Sequence, residues 1–197
     1  MSNYPISPKC GFITTIIGPM FSGKTEEFIR QINRKHIAGK KCLIIKNIID
    51  NRYNINGDTH HITSHSGIRY NKSDIVYYSN IDDSDLKNII EKYDIVGIDE
   101  GFFFKNISDI CNKLANNGID VIVSSIESSY KQELFEEIGK LIATSEVVIK
   151  MNAVCSRCGN DRGAFTVRTI DNDAQILVGG LDIYASICRN CLNKLKC

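Results

Sequence analysis

The chain has 197 residues, 43% of them hydrophobic, enough to bury one main core and a small satellite module. Its 24 basic and 23 acidic residues leave a formal net charge of +1, so no global field would hold it to nucleic acid or to an anionic membrane. No apolar stretch approaches a membrane span, and Met1-Ser2-Asn3-Tyr4-Pro5 lacks the regions of a secretory signal, so a soluble, cytoplasmic protein with reduced thiols is expected.

Phe12 to Ile17 is an apolar, β-branched run that stops at Gly18-Pro19 and reads as a buried strand. From Thr25 the residues Phe28, Ile29, Ile32 and Ile37 recur at helical spacing, and Gly39 ends the element. Cys42 to Lys46 is a second strand, so the chain opens as a βαβ unit. Asn47 to Lys72 is polar and turn-rich, with loops around at most short strands. Further strands are predicted at Ile75–Tyr78, Ile95–Ile98, Val121–Val123 and Val147–Ile149, alternating with helices at Ser84–Lys92, Ile107–Asn117 and Leu134–Ala143. That alternation predicts an α/β fold with a mainly parallel sheet covered on both faces. Beyond Asn152 come cysteine knuckles and short strands at Phe165–Arg168 and Gln175–Val178. Residues 1–151 and 152–197 are therefore expected to be separate domains.

Gly18-Pro19-Met20-Phe21-Ser22-Gly23-Lys24-Thr25 matches GxxxxGK[ST] between a predicted strand and a predicted helix, the context a phosphate-binding loop requires. Glycines let backbone N–H groups close round phosphate oxygens, and the helix N-terminus adds the positive end of its dipole. In such a loop Lys24 reaches the β- and γ-phosphates and the Thr25 hydroxyl binds magnesium. Read without chemistry, the same residues make a glycine turn. Ile95–Ile98 runs into Asp99-Glu100, placing two carboxylates at the carboxyl end of a parallel strand, where ligands of such sheets bind. An Asp there can hold magnesium and a Glu can take a hydroxyl proton, although acidic residues also serve as ordinary turn formers.

Of eight cysteines, Cys155-x-x-Cys158 and Cys188-x-x-Cys191 alone have ligand spacing, and four thiolates suit a closed, structural zinc site. Two disulfides, or a redox-active pair, are the other readings of those residues. His60, His61 and His65 could form a metal cluster, but His60 and His61 read rather as polar loop residues, and Arg189, Lys194 and Lys196 read as solvated surface.

With the loop Gly-Pro-Met-Phe-Ser-Gly-Lys, the Asp99-Glu100-Gly101 strand end and the two late CxxC pairs in order, the sequence resembles the zinc-containing thymidine kinases of animals, bacteria and large DNA viruses. Asp50-Asn51-Arg52-Tyr53, Ser64-His65-Ser66-Gly67, Phe103-Phe104, Ala153-Val154-Cys155 and Gly179-Gly180 with Asp182 and Tyr184 agree with the same pattern. The resemblance implies a phosphate-loop NTPase-like fold with a C-terminal zinc-binding domain that carries a lasso-like loop. It implies MgATP-dependent phosphorylation of the thymidine 5′-hydroxyl, with deoxyuridine as a second substrate, dTTP as feedback inhibitor and a homotetrameric assembly.

Carried over to this chain, Glu100 would be the general base, Lys24 and Arg52 would stabilise the transferring phosphoryl group, and Thr25, Asp50 and Asp99 would hold magnesium. Phe103, Tyr130, Phe135 and Ile126 would wall the base pocket. Thr166, Gln175, Ile176, Leu177, Val178, Gly179 and Tyr184 would cover and read the base, largely through backbone groups. The sequence departs from the pattern at Phe102, where the family usually has Gln, across Ser124 to Tyr130, and by one extra residue after Cys158. A nucleic-acid-binding ATPase with a zinc ribbon is the competing class, but it should carry a basic stripe interleaved with aromatics, which this chain lacks. A regulatory binder without activity would more readily have lost Lys24 or Glu100.

Overall fold

The computed structural model describes residues 10–49, 62–63, 67–174 and 177–196. Strands β1 (Ile13–Ile17), β2 (Cys42–Asn47), β5 (Asp74–Tyr78), β6 (Ile95–Ile98), β7 (Asp120–Ser125) and β8 (Val147–Lys150) form a parallel sheet in the order β5-β2-β6-β7-β1-β8. The two short strands β3 (Ile62–Thr63) and β4 (Arg69–Tyr70) pair with each other inside the polar segment. Because helices cover both faces, central strands such as β2 are buried at every position, which is why they read as unbroken apolar runs rather than alternating ones.

Helix α1 (Lys24–Ile37) lies on one face, where Phe28, Ile29 and Ile32 pack with Ile16, Ile44, Ile95 and Ile122. Gly97 on β6 permits that approach, since a Cβ there would stand 2.7 Å from the Phe28 ring. Helices α2 (Asp83–Lys92), α3 (Ile107–Asn116) and α4 (Glu136–Thr144) share the opposite core with Ile13, Ile17, Leu43, Ile45, Val96, Val121 and Val123. The α2 start is fixed by a reciprocal capping box between Asp82 and Asp85, which satisfies two backbone donors that a helix otherwise leaves open. Helix α4 begins two residues later than its periodicity suggests, because Leu134 is held in a bridge to Ser128.

The C-terminal strands differ from expectation. Strand β9 (Phe165–Arg168) lies where predicted and pairs antiparallel with β10 (Tyr184–Ile187), a strand that was not predicted. Leu177 and Val178 carry no strand pairing; they lie in the loop that passes over the cavity described below, with the Leu177 carbonyl accepting from the Tyr184 hydroxyl at 2.8 Å. Gln175 and Ile176 are outside the described residues. Helix α5 (Arg189–Lys196), whose Arg189, Lys194 and Lys196 read as charged surface in the sequence, presents Cys191 and Leu192 inward, while Arg189 lies over the Phe165 ring at 4.8 Å. Among the described residues no helix is long and apolar enough to cross a membrane.

Candidate active site

The segment after β1 turns sharply into α1. Gly18 has φ 148°, and a Cβ there would stand 2.5 Å from the Met151 carbonyl oxygen. Gly23, in the left-handed region at φ 80°, caps the N-terminus of α1, and Phe21 also has positive φ, at 61°. The Ser22 hydroxyl and the Lys24 ammonium both donate to the Pro19 carbonyl, at 2.8 Å and 2.6 Å, so the loop is closed on itself and Lys24 is buried at its centre. Backbone N–H groups at a helix N-terminus, beside a buried ammonium, form an anion-binding cradle.

At the end of β6 the backbone makes a second sharp turn. Asp99 is buried and its carboxylate accepts the Glu100 N–H at 3.1 Å, while Glu100 itself takes the left-handed conformation, φ 51° and ψ 52°. A non-glycine residue held there stores strain that the surroundings must override, a condition that clusters at functional sites. Here the 3₁₀ turn Gly101–Phe103 follows immediately, Phe103 N donates to the Glu100 carbonyl, and Phe102 N donates to Ser125 Oγ at 3.1 Å.

These two turns face one cavity of 380 Å³ at the carboxyl ends of the sheet strands. Its walls bring together Met20, Phe21, Ser22, Gly23, Lys24 and Thr25 from the loop with Glu100, Phe103, Ile126, Tyr130, Phe135, Thr166, Leu177, Val178, Gly179 and Tyr184. Gly18, Pro19 and Asp99 do not line it. Asp50, Arg52, His60, His61 and His65 lie outside the described residues. Glu26, Phe102, Ser128, Ser129 and Leu181 also line the cavity and were not anticipated. Phe102 was the visible signal among them, being a departure beside Phe103; its ring centroid lies 4.1 Å from Phe103 and 5.3 Å from Phe135, extending the apolar floor.

Arg168 is the residue that sequence reasoning missed most clearly. It sits opposite Tyr184 in the β9–β10 register and on the same strand face as Thr166. Its guanidinium donates to the carbonyls of Asn172 at 2.5 Å and Ala174 at 2.6 Å, and to the Tyr184 hydroxyl at 2.8 Å. It also lies over the Tyr130 ring, 3.9 Å from the centroid, and the Tyr130 hydroxyl in turn donates to the Asn172 carbonyl. One planar cation thus gathers the covering loop, the last strand and the aromatic wall.

The four thiols of Cys155, Cys158, Cys188 and Cys191 have their sulfurs within 4.8 Å of one another, and the described residues contain no disulfide. Four sulfurs each about 2.3 Å from one tetrahedral zinc ion stand about 3.8 Å apart. Cys158 and Cys188 are 3.7 Å apart, so the set fits that ion. Burial pushes the Cys155 thiol up, but backbone N–H groups of Cys188, Cys158 and Arg157 outweigh it and bring it down to about 6. Burial and the neighbouring sulfurs push Cys191 up to about 12. Packed this closely, the four could ionise together only around a cation.

Fold and cavity together define a phosphate-loop nucleotide-binding protein of the α/β class with an appended four-cysteine module. The thymidine kinase family profile matches residues 11–192. The thymidine kinase of Acanthamoeba polyphaga mimivirus is 58% identical over 186 residues, covering 93% of this chain and 83% of that one. Thymidine kinase 1 of Dictyostelium discoideum is 39% identical over 183 residues, covering 93% and 78%. A Variola virus thymidine kinase is 37% identical over 181 residues, covering 92% and 96%. The chain therefore belongs to the thymidine kinase family, whose members are phosphotransferases.

Proposed function

We propose that this chain transfers the γ-phosphoryl group of ATP to the 5′-hydroxyl of thymidine, giving dTMP and ADP, and accepts deoxyuridine as a second substrate. The observation that carries the reading is the single cavity that Met20 to Thr25 share with Glu100 and an aromatic wall. The loop N–H groups and Lys24 bind the triphosphate. Phe103, Tyr130 and the Phe102–Phe135 stack hold the base. Glu100 takes the hydroxyl proton as the nucleoside oxygen bonds to the γ-phosphorus, and the bond to the bridging oxygen breaks to release ADP. Arg52 steadies the charge that develops on the transferring group.

Magnesium, when bound, neutralises phosphate charge, and Thr25, Asp99 and Asp50 are the residues that would hold it. The four cysteines hold a structural zinc, and 152–197 acts as the covering domain on the ATP-binding domain 1–151. A homotetramer, cytoplasmic location and feedback by dTTP complete the proposal; these rest on the family resemblance.

Release of ADP from MgATP, followed on adding thymidine or single-stranded DNA, tests this reading. Stimulation by thymidine is expected; stimulation by DNA alone identifies the competing nucleic-acid-dependent ATPase. Arg168→Met should raise the thymidine KM by about ten- to a hundredfold, through loss of three charge-assisted hydrogen bonds, with a smaller change in kcat. Steady-state kinetics at saturating ATP measure it, and an unchanged KM removes Arg168 as the organiser of the covering loop.

A further inference from the structure

The phosphate loop is tied to the cysteine module through Met20. Met20 N donates to Thr166 Oγ1 at 3.0 Å, and Ser186 Oγ donates to the Met20 carbonyl at 2.5 Å. Thr166 and Ser186 are directly opposed in the β9–β10 register, so the pair grips both backbone groups of one peptide residue from one strand face. Both are buried, at 7% and 2% exposure, and water does not compete for these bonds. Ser186 is held from the other side as well: its carbonyl accepts the N–H of Ser156, the residue after Cys155, at 2.9 Å. Two residues further along the chain is Cys188. A continuous run of hydrogen bonds therefore leads from the cysteine knuckle through Ser186 to the loop whose amides receive phosphate.

We propose that Ser186, acting with Thr166, is a positioning residue that fixes the phosphate loop in its nucleotide-binding shape, so that the cysteine module sets ATP affinity as well as covering the nucleoside. This rests on the proposal that the loop binds ATP. A phosphate loop works through main-chain amides whose directions must hold to within about half an ångström, and such groups need a supporting shell. The internal bonds to Pro19 close the loop behind Met20, whereas both backbone groups of Met20 bond outside the loop, to Thr166 and Ser186. Removing the Ser186 hydroxyl leaves the buried Met20 carbonyl without its donor, and the loop must shift to reach another. Phe21, already at positive φ, is the next residue and would move with it.

The test measures MgADP affinity by calorimetry on the zinc-loaded wild type and on Ser186→Ala, Thr166→Val and Ser186→Thr, with zinc content and unfolding temperature recorded for each. Ser186→Ala and Thr166→Val should each weaken MgADP binding on the order of tenfold at unchanged zinc content. Ser186→Thr, which keeps the hydroxyl, should bind like the wild type. Unchanged MgADP affinity in both clamp-breaking variants overturns the proposal, as does a change confined to the thymidine KM, which would assign the contact to the base pocket. Should Ser186→Ala not fold, Thr166→Val carries the same comparison. Failure of the wild type itself to bind MgADP defeats the underlying ATP reading, a result distinct from equal binding by all four proteins.

Discussion

Replacing Glu100 with glutamine should leave MgATP binding intact and lower kcat by about two to four orders of magnitude, the range a positioned general base would supply. The substitution keeps shape and reach, but it removes the carboxylate charge and with it the ability to accept a proton. The backbone that presents residue 100 is fixed independently of its side chain. Asp99 N donates to the Ile45 carbonyl, Phe103 N to the Glu100 carbonyl and Phe102 N to Ser125 Oγ. A Cβ on Gly101 would stand 2.7 Å from Val123 Cγ1, so this turn is seated directly on β7. The left-handed conformation at residue 100 is thus imposed by its surroundings, and glutamine inherits it at the same cost. Turnover and unfolding temperature measured on one preparation separate loss of chemistry from loss of fold. Wild-type kcat in this variant would remove Glu100 as the base.

Replacing Cys188 with serine should abolish stoichiometric zinc, lower the unfolding midpoint on the order of 10 °C, and weaken capture of both substrates. The reason is the size of the core around the cysteines. Cys155, Ile187, Cys188, Cys191 and Leu192, with Phe165 and Val167 packed against them, form a cluster too small to order the segment without a staple. Three of its five buried members are the thiols themselves. Cys10→Ser, at an exposed position remote in sequence from the cluster, is the control and should match the wild type. Full zinc content with an unchanged midpoint in Cys188→Ser would show that the metal does not hold this region together.

The main sheet was legible because its physics is periodic. Strands buried on both faces read as apolar runs, α1 and α3 repeat their buried positions at helical spacing, and the phosphate loop couples a fixed spacing to a strand–turn–helix context. The C-terminal region was harder to read because its order comes from polar bonds and thiols. Gln175 to Val178 has strand-like residues, yet Leu177 and Val178 face the cavity, while Tyr184–Ile187, no more strand-like in composition, pairs with β9. Helix α5 is short and carries charged residues, and among its described side chains only Cys191 and Leu192 are buried. Thr166 was anticipated as a substrate contact and lines the cavity, but its hydroxyl accepts from Met20 N; side-chain bonds to distant backbone leave no periodic trace. Arg168 escaped for the same reason, since its three acceptors include two carbonyls in an irregular loop.

The contact from Ser186 to Met20 spans 166 positions along the chain, and that from Thr166 spans 146. A ribosome therefore makes the loop well before it makes the buttress. Between those moments the parallel sheet can close as soon as β8 emerges, with the loop present but lacking its outer brace. On the Ser186 proposal, a chain stopped before β10 should possess every residue of the GxxxxGKT signature and still hold nucleotide poorly.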